Sequence, residues 1–369
     1  MERLPDSAGS GAETPTEVDS PSPVAVLTIE SSAPAGEAAL SLVNVGNRPA
    51  ILRVLDSFAE AGVDEVAVAV EPRLAPDIRD VLESAPAWPF TPSYVHRPTG
   101  EGLLDTLSAI GGAEPDRPLL LHWACALFKS PLRSLLSGAT VGPLDAVLLV
   151  EPPHAEAPVI ELASGRLAAL PGHTRAGSPG RLAGLALLGA RAPEVARALR
   201  PGRGSDVDVV TLVERMTELG GHVQLLPARD SWRYTGAADS ALDLNRFLLS
   251  DLVADSAEVE LPGTLLQGAV QVDPSATLER STIRGPVVIG PRARLFDAWV
   301  GPYTSIGEGV CVEGAEVENS IVLEGTRISH LDRRLEASVI GPAATICRDF
   351  RLPRALRMHV GEGATVSLT

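Results

Sequence analysis

Lysine is almost absent from this chain of 369 residues: Lys129 is the only one, and arginine carries the other basic side-chain charges. A general preference for arginine and alanine accounts for most of this trend. A phosphate-binding site, however, often uses a lysine ammonium as a compact positive charge. The composition supplies no substitute for such a lysine.

Positive charge and cysteine are also scarce. Lys and Arg total 31 against 47 Asp and Glu, and the net charge of −16 argues against general binding to nucleic acid or anionic membranes. The three cysteines, Cys125, Cys311 and Cys347, lie far apart and show neither metal-ligand spacing nor a disulfide framework. We expect a protein of the reducing cytoplasm with no nucleic-acid partner.

Long apolar runs are missing as well. No window approaches the roughly 18 apolar residues of a membrane span, and the N-terminus has no basic region followed by an apolar stretch. We therefore expect neither membrane association nor secretion. Residues 1–23 are rich in Ser, Pro, Glu and Gly and nearly free of large apolar residues, which predicts a disordered acidic tail.

Residues 24–254 alternate short apolar runs with segments of helical periodicity. The runs VAVLTI, EVAVAV, LLLHWA and DAVLLV are typical of strands buried on both faces of a sheet. The segment AILRVLDSFAEAGV has apolar residues at helical spacing and ends at Gly62, as a helix C-cap would. This alternation predicts a Rossmann-like α/β domain with a largely parallel sheet, whose ligands would bind beyond the carboxyl ends of the strands.

Residues 255–369 follow a shorter period. Aliphatic residues recur in steps of six, five and six, and each set of three lies seventeen residues after the last. The positions are Val272, Leu278, Ile283, Ile289, Leu295, Val300, Ile306, Val312 and Val317. A fixed short period with glycines at the corners is typical of a solenoid whose coils each supply three short strands. We predict a left-handed parallel β-helix with these positions facing its core.

Four segments carry a resemblance to a known family. Residues 283–328 are similar to that family's β-helix, and residues 351–368 to its arginine- and proline-containing tail. LVNVGNRP, which opens residues 42–70, resembles the family's LVPVANKP, and SWRYTG, which opens residues 231–249, resembles its WWKDTG element. The family is that of the sugar-nucleotide pyrophosphorylases, most closely the long form of glucose-1-phosphate thymidylyltransferase. The resemblance implies a nucleotidyltransferase that joins a nucleoside triphosphate to a sugar 1-phosphate.

The resemblance also implies a phosphate loop and a lysine that this chain lacks. Where the family has GGxGTRLxPLT, this chain has LTIESSAPAGEAAL, with Gly36 as its only glycine, no arginine, and two acids, Glu30 and Glu37. Acids here would repel a triphosphate, and without adjacent glycines the backbone cannot approach it closely. Leu40 occupies the position of the family's lysine.

Two magnesium-binding aspartates are implied by the resemblance, and both are replaced. Aligning Pro118 with the proline of the family's strand places Cys125 at the aspartate of GDN, and Tyr234 takes the aspartate position in WRYTG. A thiol is a poor Mg²⁺ ligand, and a phenol with a pKa near roughly 10 is neutral at working pH. We expect no cofactor, with Mg²⁺ present only if its ligands have relocated.

Several substrate-binding positions of the family have counterparts here. Position alone suggests sugar or nucleotide contacts for Arg97, Gly102, Asp105, Gly184, Trp232 and Tyr234. Tyr234 could equally fill the vacated metal site, and Asp105 could be a solvated residue in the first turn of a helix. Cys125 is interpreted as a small buried residue at a strand end, and His122 and Trp123 as rings that either stack on a base or fill space.

Three functions are compatible with this pattern. The favoured hypothesis is a catalytically inactive nucleotidyltransferase-like protein that acts as a binding, regulatory or scaffold subunit in sugar-nucleotide metabolism. The alternative is an active sugar-1-phosphate nucleotidyltransferase with a relocated metal site, for which Asp105 is the one nearby carboxylate. Acyl transfer on the β-helix would need a catalytic base, and only His330 lies near the repeats.

Partners follow from the same resemblance. Because family members assemble and a β-helix presents flat repetitive faces, we expect a homo-oligomer or a hetero-oligomer with an active nucleotidyltransferase. A sugar nucleotide is the candidate small ligand.

Overall fold

The computed structural model of this protein describes residues 22–29, 39–96, 103–110, 117–151, 167–168, 181–199, 205–253, 261, 263–348 and 350. The predicted N-terminal tail lies outside these residues except for its last two positions. The described residues form an α/β domain followed by a solenoid of parallel strands. None of the helices among them combines the length and the apolarity needed to cross a lipid bilayer.

Helices and strands alternate through the described part of the first domain. Its strands are β1 (Val24–Thr28), β2 (Asn44–Val45), β3 (Arg48–Pro49), β4 (Val66–Val70), β5 (Ser93–His96), β6 (Leu119–Trp123), β7 (Ala126–Phe128), β8 (Ala146–Glu151), β9 (Leu167–Ala168), β10 (Arg181–Leu188), β11 (Val223–Pro227) and β12 (Ser231–Arg233). Its helices are α1 (Ala50–Glu60), α2 (Ala75–Glu83), α3 (Leu103–Ile110), α4 (Leu132–Leu135), α5 (Ala192–Arg197), α6 (Ser205–Glu218) and α7 (Ala238–Leu249), with a 3₁₀ turn at Leu40–Leu42.

The central sheet has the order β5-β4-β1-β6-β10-β8-β11-β9. β10 runs antiparallel to both of its neighbours, β6 and β8, whereas the other neighbouring pairs are parallel. β7 and β12 form a separate antiparallel pair beside the carboxyl end of β6. The predicted Rossmann-like α/β domain is confirmed.

Helices cover both faces of this sheet, and this explains the continuous apolar strands. One layer packs residues of α1, α2 and α7 against the side chains of Ala25 and Leu27. The other packs α3, α5 and α6 against Val24 and Val26. All five residues of β1 are buried, because alternate side chains enter opposite layers and each layer is apolar.

The second domain is a left-handed parallel β-helix of five coils. Its strands are β13 (Leu265–Gln267), β14 (Val270–Val272), β15 (Thr277–Glu279), β16 (Thr282–Arg284), β17 (Val287–Ile289), β18 (Arg294–Phe296), β19 (Trp299–Val300), β20 (Thr304–Ile306), β21 (Cys311–Glu313), β22 (Glu316–Glu318), β23 (Ile321–Val322), β24 (Arg327–Ser329), β25 (Leu335–Glu336), β26 (Val339–Ile340) and β27 (Thr345–Cys347). Every third strand joins the same sheet, which gives three five-stranded parallel sheets.

The strand register confirms the predicted period. Val270 pairs with Val287, and Val287 pairs with Thr304, so these coils advance by 17 residues. The nine aliphatic positions named above are all buried, in a core shared by successive coils. The last two steps differ, since Ile306 pairs with Val322, which lies 16 residues further on, and Ile321 pairs with Val339, which lies 18 residues further on.

A buried amide, Asn245 of α7, joins the two domains. Its Oδ1 accepts hydrogen bonds from the backbone N–H of Gly46 at 2.9 Å and from the Ser305 hydroxyl at 2.7 Å. Its Nδ2 donates to the Tyr303 carbonyl at 3.0 Å. Asn245 is fully buried, so its bonds fix the β2–β3 turn and α7 against β20 in an environment without water to replace them.

The β2–β3 turn makes a second contact across the same joint. Gly46 and Asn47 both have positive φ angles, +54° and +59°, as a two-residue type I′ hairpin turn requires. This conformation directs the Asn47 side chain toward the β-helix, where its Nδ2 donates to the Ile306 carbonyl at 2.7 Å. The joint therefore combines hydrogen bonds to backbone atoms of the β-helix with apolar packing, since Ile321 of β23 belongs to the core of the first domain.

Replacing Asn245 by alanine should lower the free energy of unfolding by about 2–5 kcal/mol, because several buried polar groups would lose their partners. Urea unfolding followed by circular dichroism measures this change. Gln267→Ala, which removes an exposed amide on the β-helix, is the matched control and should stay within about 0.5 kcal/mol of wild type. Equal stability of the two variants would show that the joint does not depend on Asn245.

Candidate functional site

The candidate site lies where β1 and β6 end. The Ala124 N–H donates to the Thr28 carbonyl at 3.0 Å, which holds the residues after β6 against the end of β1. The Tyr234 N–H donates to the Cys125 carbonyl at 3.0 Å, next to the antiparallel pairing of β7 with β12. Two residues 109 positions apart in sequence, both singled out from the resemblance, are thus neighbours.

Neither side chain at this edge suits a magnesium ion. Cys125 is 1% exposed and lies in the apolar layer beneath α3 and α6. Burial raises the pKa of the Tyr234 phenol, so the ring stays neutral. Mg²⁺ prefers hard oxygen ligands, chiefly carboxylates and water. Among the described residues, no three His, Cys, Asp or Glu side chains come together as a metal site.

Trp123 cannot present its ring to a nucleobase in this structure. The residue is 0% exposed, and the Arg233 guanidinium lies 5.5 Å from the centre of its ring. Its indole Nε1 is buried and has no acceptor among the described residues. Of the two interpretations left open by the sequence, the burial favours the space-filling one.

His122, the preceding residue, points to the opposite face of β6. Its ring lies edge-on to Phe58 at 5.5 Å and to Phe128 at 5.6 Å, measured between ring centres. Burial lowers the pKa of His122 to about 4, although a backbone hydrogen bond at Trp123 partly opposes the shift. The ring is therefore neutral near pH 7.

Gly184 and Trp232 serve packing where the structure places them. Gly184 has a φ of +95°, and a Cβ atom on it would lie 2.5 Å from the Cβ of Ala126. A glycine is thus needed for β10 to pass close to β7. Trp232 pairs with Leu127, and its ring packs against Phe247 of α7 at 6.3 Å.

Asp105 lies in the first turn of α3, whereas Cys125 lies between β6 and β7 and Tyr234 directly follows β12. α3 packs against α5 and α6, and its start is held by the Asp208 carboxylate, which accepts a hydrogen bond from the Leu103 N–H at 2.8 Å. Arg97 and Gly102 lie outside the described residues.

The single lysine does not lie free to meet a phosphate. Its Nζ donates to the Ser250 hydroxyl at 2.7 Å, pairs with Asp251 at 2.8 Å, and lies 4.6 Å from the centre of the Phe247 ring. Lys129 is thereby engaged at the C-terminal end of α7, where a positive charge is favourable.

Sequence reasoning missed one polar side chain beside His122. Arg53 lies on the polar side of α1, near Asp56 and Ser57, and with His122 it lines a cavity on the α1 face of the sheet. Two local signals could have identified the pair: an arginine between Leu52 and Val54 on an amphipathic helix, and a histidine inside the apolar run LLLHW.

Three characterised proteins are similar to this chain over most of its length. The glucose-1-phosphate thymidylyltransferase of Streptomyces antibioticus is 26% identical over 340 residues, which span 89% of this chain and 94% of that protein. The Streptomyces griseus protein of the same name is 27% identical over 344 residues, spanning 90% and 94%. A low-salt glycan biosynthesis nucleotidyltransferase of Haloferax volcanii is 23% identical over 343 residues, spanning 89% and 93%.

No protein-family model matches the sequence. Among solved structures, a Bacillus anthracis protein provisionally assigned as a glucose-1-phosphate thymidylyltransferase, in complex with sucrose, aligns at 11% identity over 63% of this chain and 97% of that one. Its TM-score of 0.47 is too low to support an argument. The sequence similarity and the two-domain fold identify this chain as nucleotidyltransferase-like and similar to glucose-1-phosphate thymidylyltransferases.

The buried neutral His122 predicts a pH-dependent stability. In the unfolded chain His122 binds a proton below about pH 6.5, whereas in the folded protein it does so only near pH 4. The contribution of neutral His122 to the free energy of unfolding is therefore complete above pH 6.5 and is lost as the pH falls toward 4. Comparing urea unfolding at pH 7 and pH 4.5, wild type should lose about 2–3 kcal/mol more than His122→Asn. His222→Asn, at an exposed histidine, should behave as wild type. An identical pH profile for wild type and His122→Asn would contradict the assignment.

Proposed function

We propose that this protein is a catalytically inactive, nucleotidyltransferase-like subunit with a binding or regulatory role in sugar-nucleotide metabolism. One observation carries the proposal: a buried thiol, Cys125, and a neutral phenol, Tyr234, stand at the two positions where the resemblance implies metal-binding aspartates. In nucleotidyl transfer a metal ion neutralises charge on the phosphates, and little covalent chemistry is left to the protein. Losing both carboxylates therefore removes a main source of rate enhancement.

The lack of positive charge in the segment that corresponds to the phosphate loop supports the same proposal. The segment 30–39 contains Glu30 and Glu37 but neither arginine nor lysine, and Leu40 stands where the resemblance implies a lysine. Lys129 cannot take over that role from the end of α7, where it is paired with Asp251. A nucleoside triphosphate at this edge would lack the countercharge that the family's loop arginine and lysine supply.

The expected loss of reaction rate can be judged from active sites in which one electrostatic group has been removed. Removing one well-placed electrostatic group commonly costs roughly 10² to 10³ in rate. Here the glycine-rich loop, the lysine and both aspartates are replaced together, so we expect the reaction to fall below detection.

A protein of this fold can still bind ligands and partners without catalysis. We propose a sugar nucleotide as its small ligand, because the resemblance extends over the segments of the first domain that contact the base and the sugar in the family, and not only over the segments that carry the replaced metal ligands. We also propose assembly with a second copy or with an active nucleotidyltransferase, since the three flat sheets of the β-helix suit stacking. The cysteine content fits a cytoplasmic location.

A pyrophosphate-exchange assay tests the proposal. With labelled pyrophosphate, Mg²⁺, each common nucleoside triphosphate and each hexose 1-phosphate, we expect no exchange above the protein-free blank. The Streptomyces griseus thymidylyltransferase, measured in parallel, is the positive control. Calorimetry of sugar nucleotides on the same preparation should give saturable binding.

Exchange that is lost in Asp105→Asn would instead establish the alternative, an active enzyme with a relocated metal site. The matched control for that variant is Asp77→Asn, at an exposed acid in the first turn of α2. If neither exchange nor sugar-nucleotide binding occurs, the binding role is wrong, and a scaffold role through the β-helix replaces it.

A further inference from the structure

A cavity of about 140 Å³ lies between α1, the end of β6, β7 and the start of α4. Four polar residues line it, namely Arg53, Ser57, His122 and Ser130, and the remainder of the wall is mostly apolar. Since a water molecule takes up about 30 Å³ in the liquid, the cavity has room for several waters or for one tetrahedral oxyanion. It lies on the α1 face of the sheet, whereas the Cys125 side chain packs in the layer on the other face.

Arg53 brings a positive charge to this cavity that is not held in an ion pair of its own. Its Nη2 donates to the carbonyls of Val45 and Gly46, both at 3.0 Å, which fixes the orientation of the guanidinium. Its Nε is buried and has no hydrogen-bond acceptor among the described residues. The acid one turn away, Asp56, is paired with Arg48 at 2.7 Å.

A largely buried cation without an ion-pair partner is costly, so its surroundings are informative. Burial, followed by the like charge of Arg48, lowers the pKa of Arg53 to about 10, while the Asp56 carboxylate partly opposes the shift; the guanidinium is therefore still charged at pH 7. Groups of this kind are normally paired with an anion in a fixed geometry. The planar guanidinium favours an oxyanion that can accept two of its N–H groups.

The other polar residues complete a small recognition site. Among the described residues the Ser130 hydroxyl has no hydrogen-bond partner, so it is available as a further donor to an anion. The Ser57 hydroxyl already donates to the Val54 carbonyl at 2.6 Å and is not counted as a donor. In His122, Nδ1 lies 2.8 Å from the Trp123 carbonyl, which can only accept, so the proton is on Nδ1 and Nε2 is an acceptor. An acceptor in the wall suits an oxyanion that itself carries a proton.

We propose that this cavity is an oxyanion-binding site in which Arg53 and Ser130 hold a phosphate-sized group, either inorganic phosphate or the phosphoryl group of a sugar phosphate. The site is separate from the edge that carries Cys125 and Tyr234, and it does not depend on whether the protein is catalytic. Hydrogen phosphate matches the donors of Arg53 and Ser130 and the acceptor of His122.

An occupant of this site would act on the domain joint through one residue. Arg53 donates to the Gly46 carbonyl, and the Gly46 N–H in turn donates to Asn245, which also accepts from Ser305 of the β-helix. A bound anion that holds Arg53 in place therefore also stabilises the β2–β3 turn at the joint. Binding should raise the thermal unfolding midpoint of the whole chain.

Titration calorimetry of the full chain with sodium phosphate at pH 7, at constant ionic strength set by sodium chloride, tests the site. We expect saturable binding of one phosphate, weakened at least a hundredfold in Arg53→Met and about five- to tenfold in Ser130→Ala, which loses one donor to a charged ligand. Arg191→Met, which removes an exposed arginine on another surface, is the matched control and should bind as wild type does. Ser130→Ala keeps the test decisive if Arg53→Met does not fold.

Glucose 1-phosphate in a second series identifies the source of the anion. Tighter binding of glucose 1-phosphate than of phosphate, with the same loss in Arg53→Met, would assign the site to a sugar phosphate; the reverse order would assign it to free phosphate. Phosphate binding that is unchanged in Arg53→Met and Ser130→Ala, or no binding at millimolar phosphate, would overturn the proposal.

Discussion

The fully buried amide of Asn245 is the interaction on which the arrangement of this protein depends. It lies on α7 and satisfies the backbone of the β2–β3 turn and a side chain of β20 at once. These three elements are far apart in sequence, and because Asn245 is buried its polar atoms need protein partners. Together with Asn47 and the packing of Ile321, this contact holds the β-helix against the α/β domain, and through Gly46 it also meets Arg53.

The candidate site differs from the joint between the domains because backbone hydrogen bonds, and not side chains, hold its residues together. The contact between residues 125 and 234 is a hydrogen bond from an N–H to a carbonyl, and β7 pairs with β12 in the same way. Such bonds do not require a particular side chain, so a thiol and a phenol can stand at these positions without disturbing the fold. The side chains at this edge can therefore change without changing the backbone arrangement, and a nucleotidyltransferase-like fold is compatible with the absence of catalysis.

Local patterns in the sequence predict much of this fold and less of its sites. The 17-residue period predicts the coils because the strands repeat at fixed spacing, and the apolar run around Leu120 predicts a strand buried on both faces. The antiparallel direction of β10 and the 18-residue step of the last coil leave no such local signal. The role of Asn245 depends on partners 60 and 199 residues away. Arg53 and His122 each stand out locally, but only the fold shows that they line the same cavity.

The most direct test concerns whether the edge formed by residues 125 and 234 holds a divalent cation. Electron paramagnetic resonance of Mn²⁺, a spectroscopic substitute for Mg²⁺, can be recorded with a saturating nucleoside triphosphate in the presence and absence of the protein. We predict the same spectrum in both samples, since a buried thiol and a neutral phenol do not ligate a hard cation. A protein-bound Mn²⁺ signal with a stoichiometry of about one would contradict the absence of a metal site and favour an active enzyme.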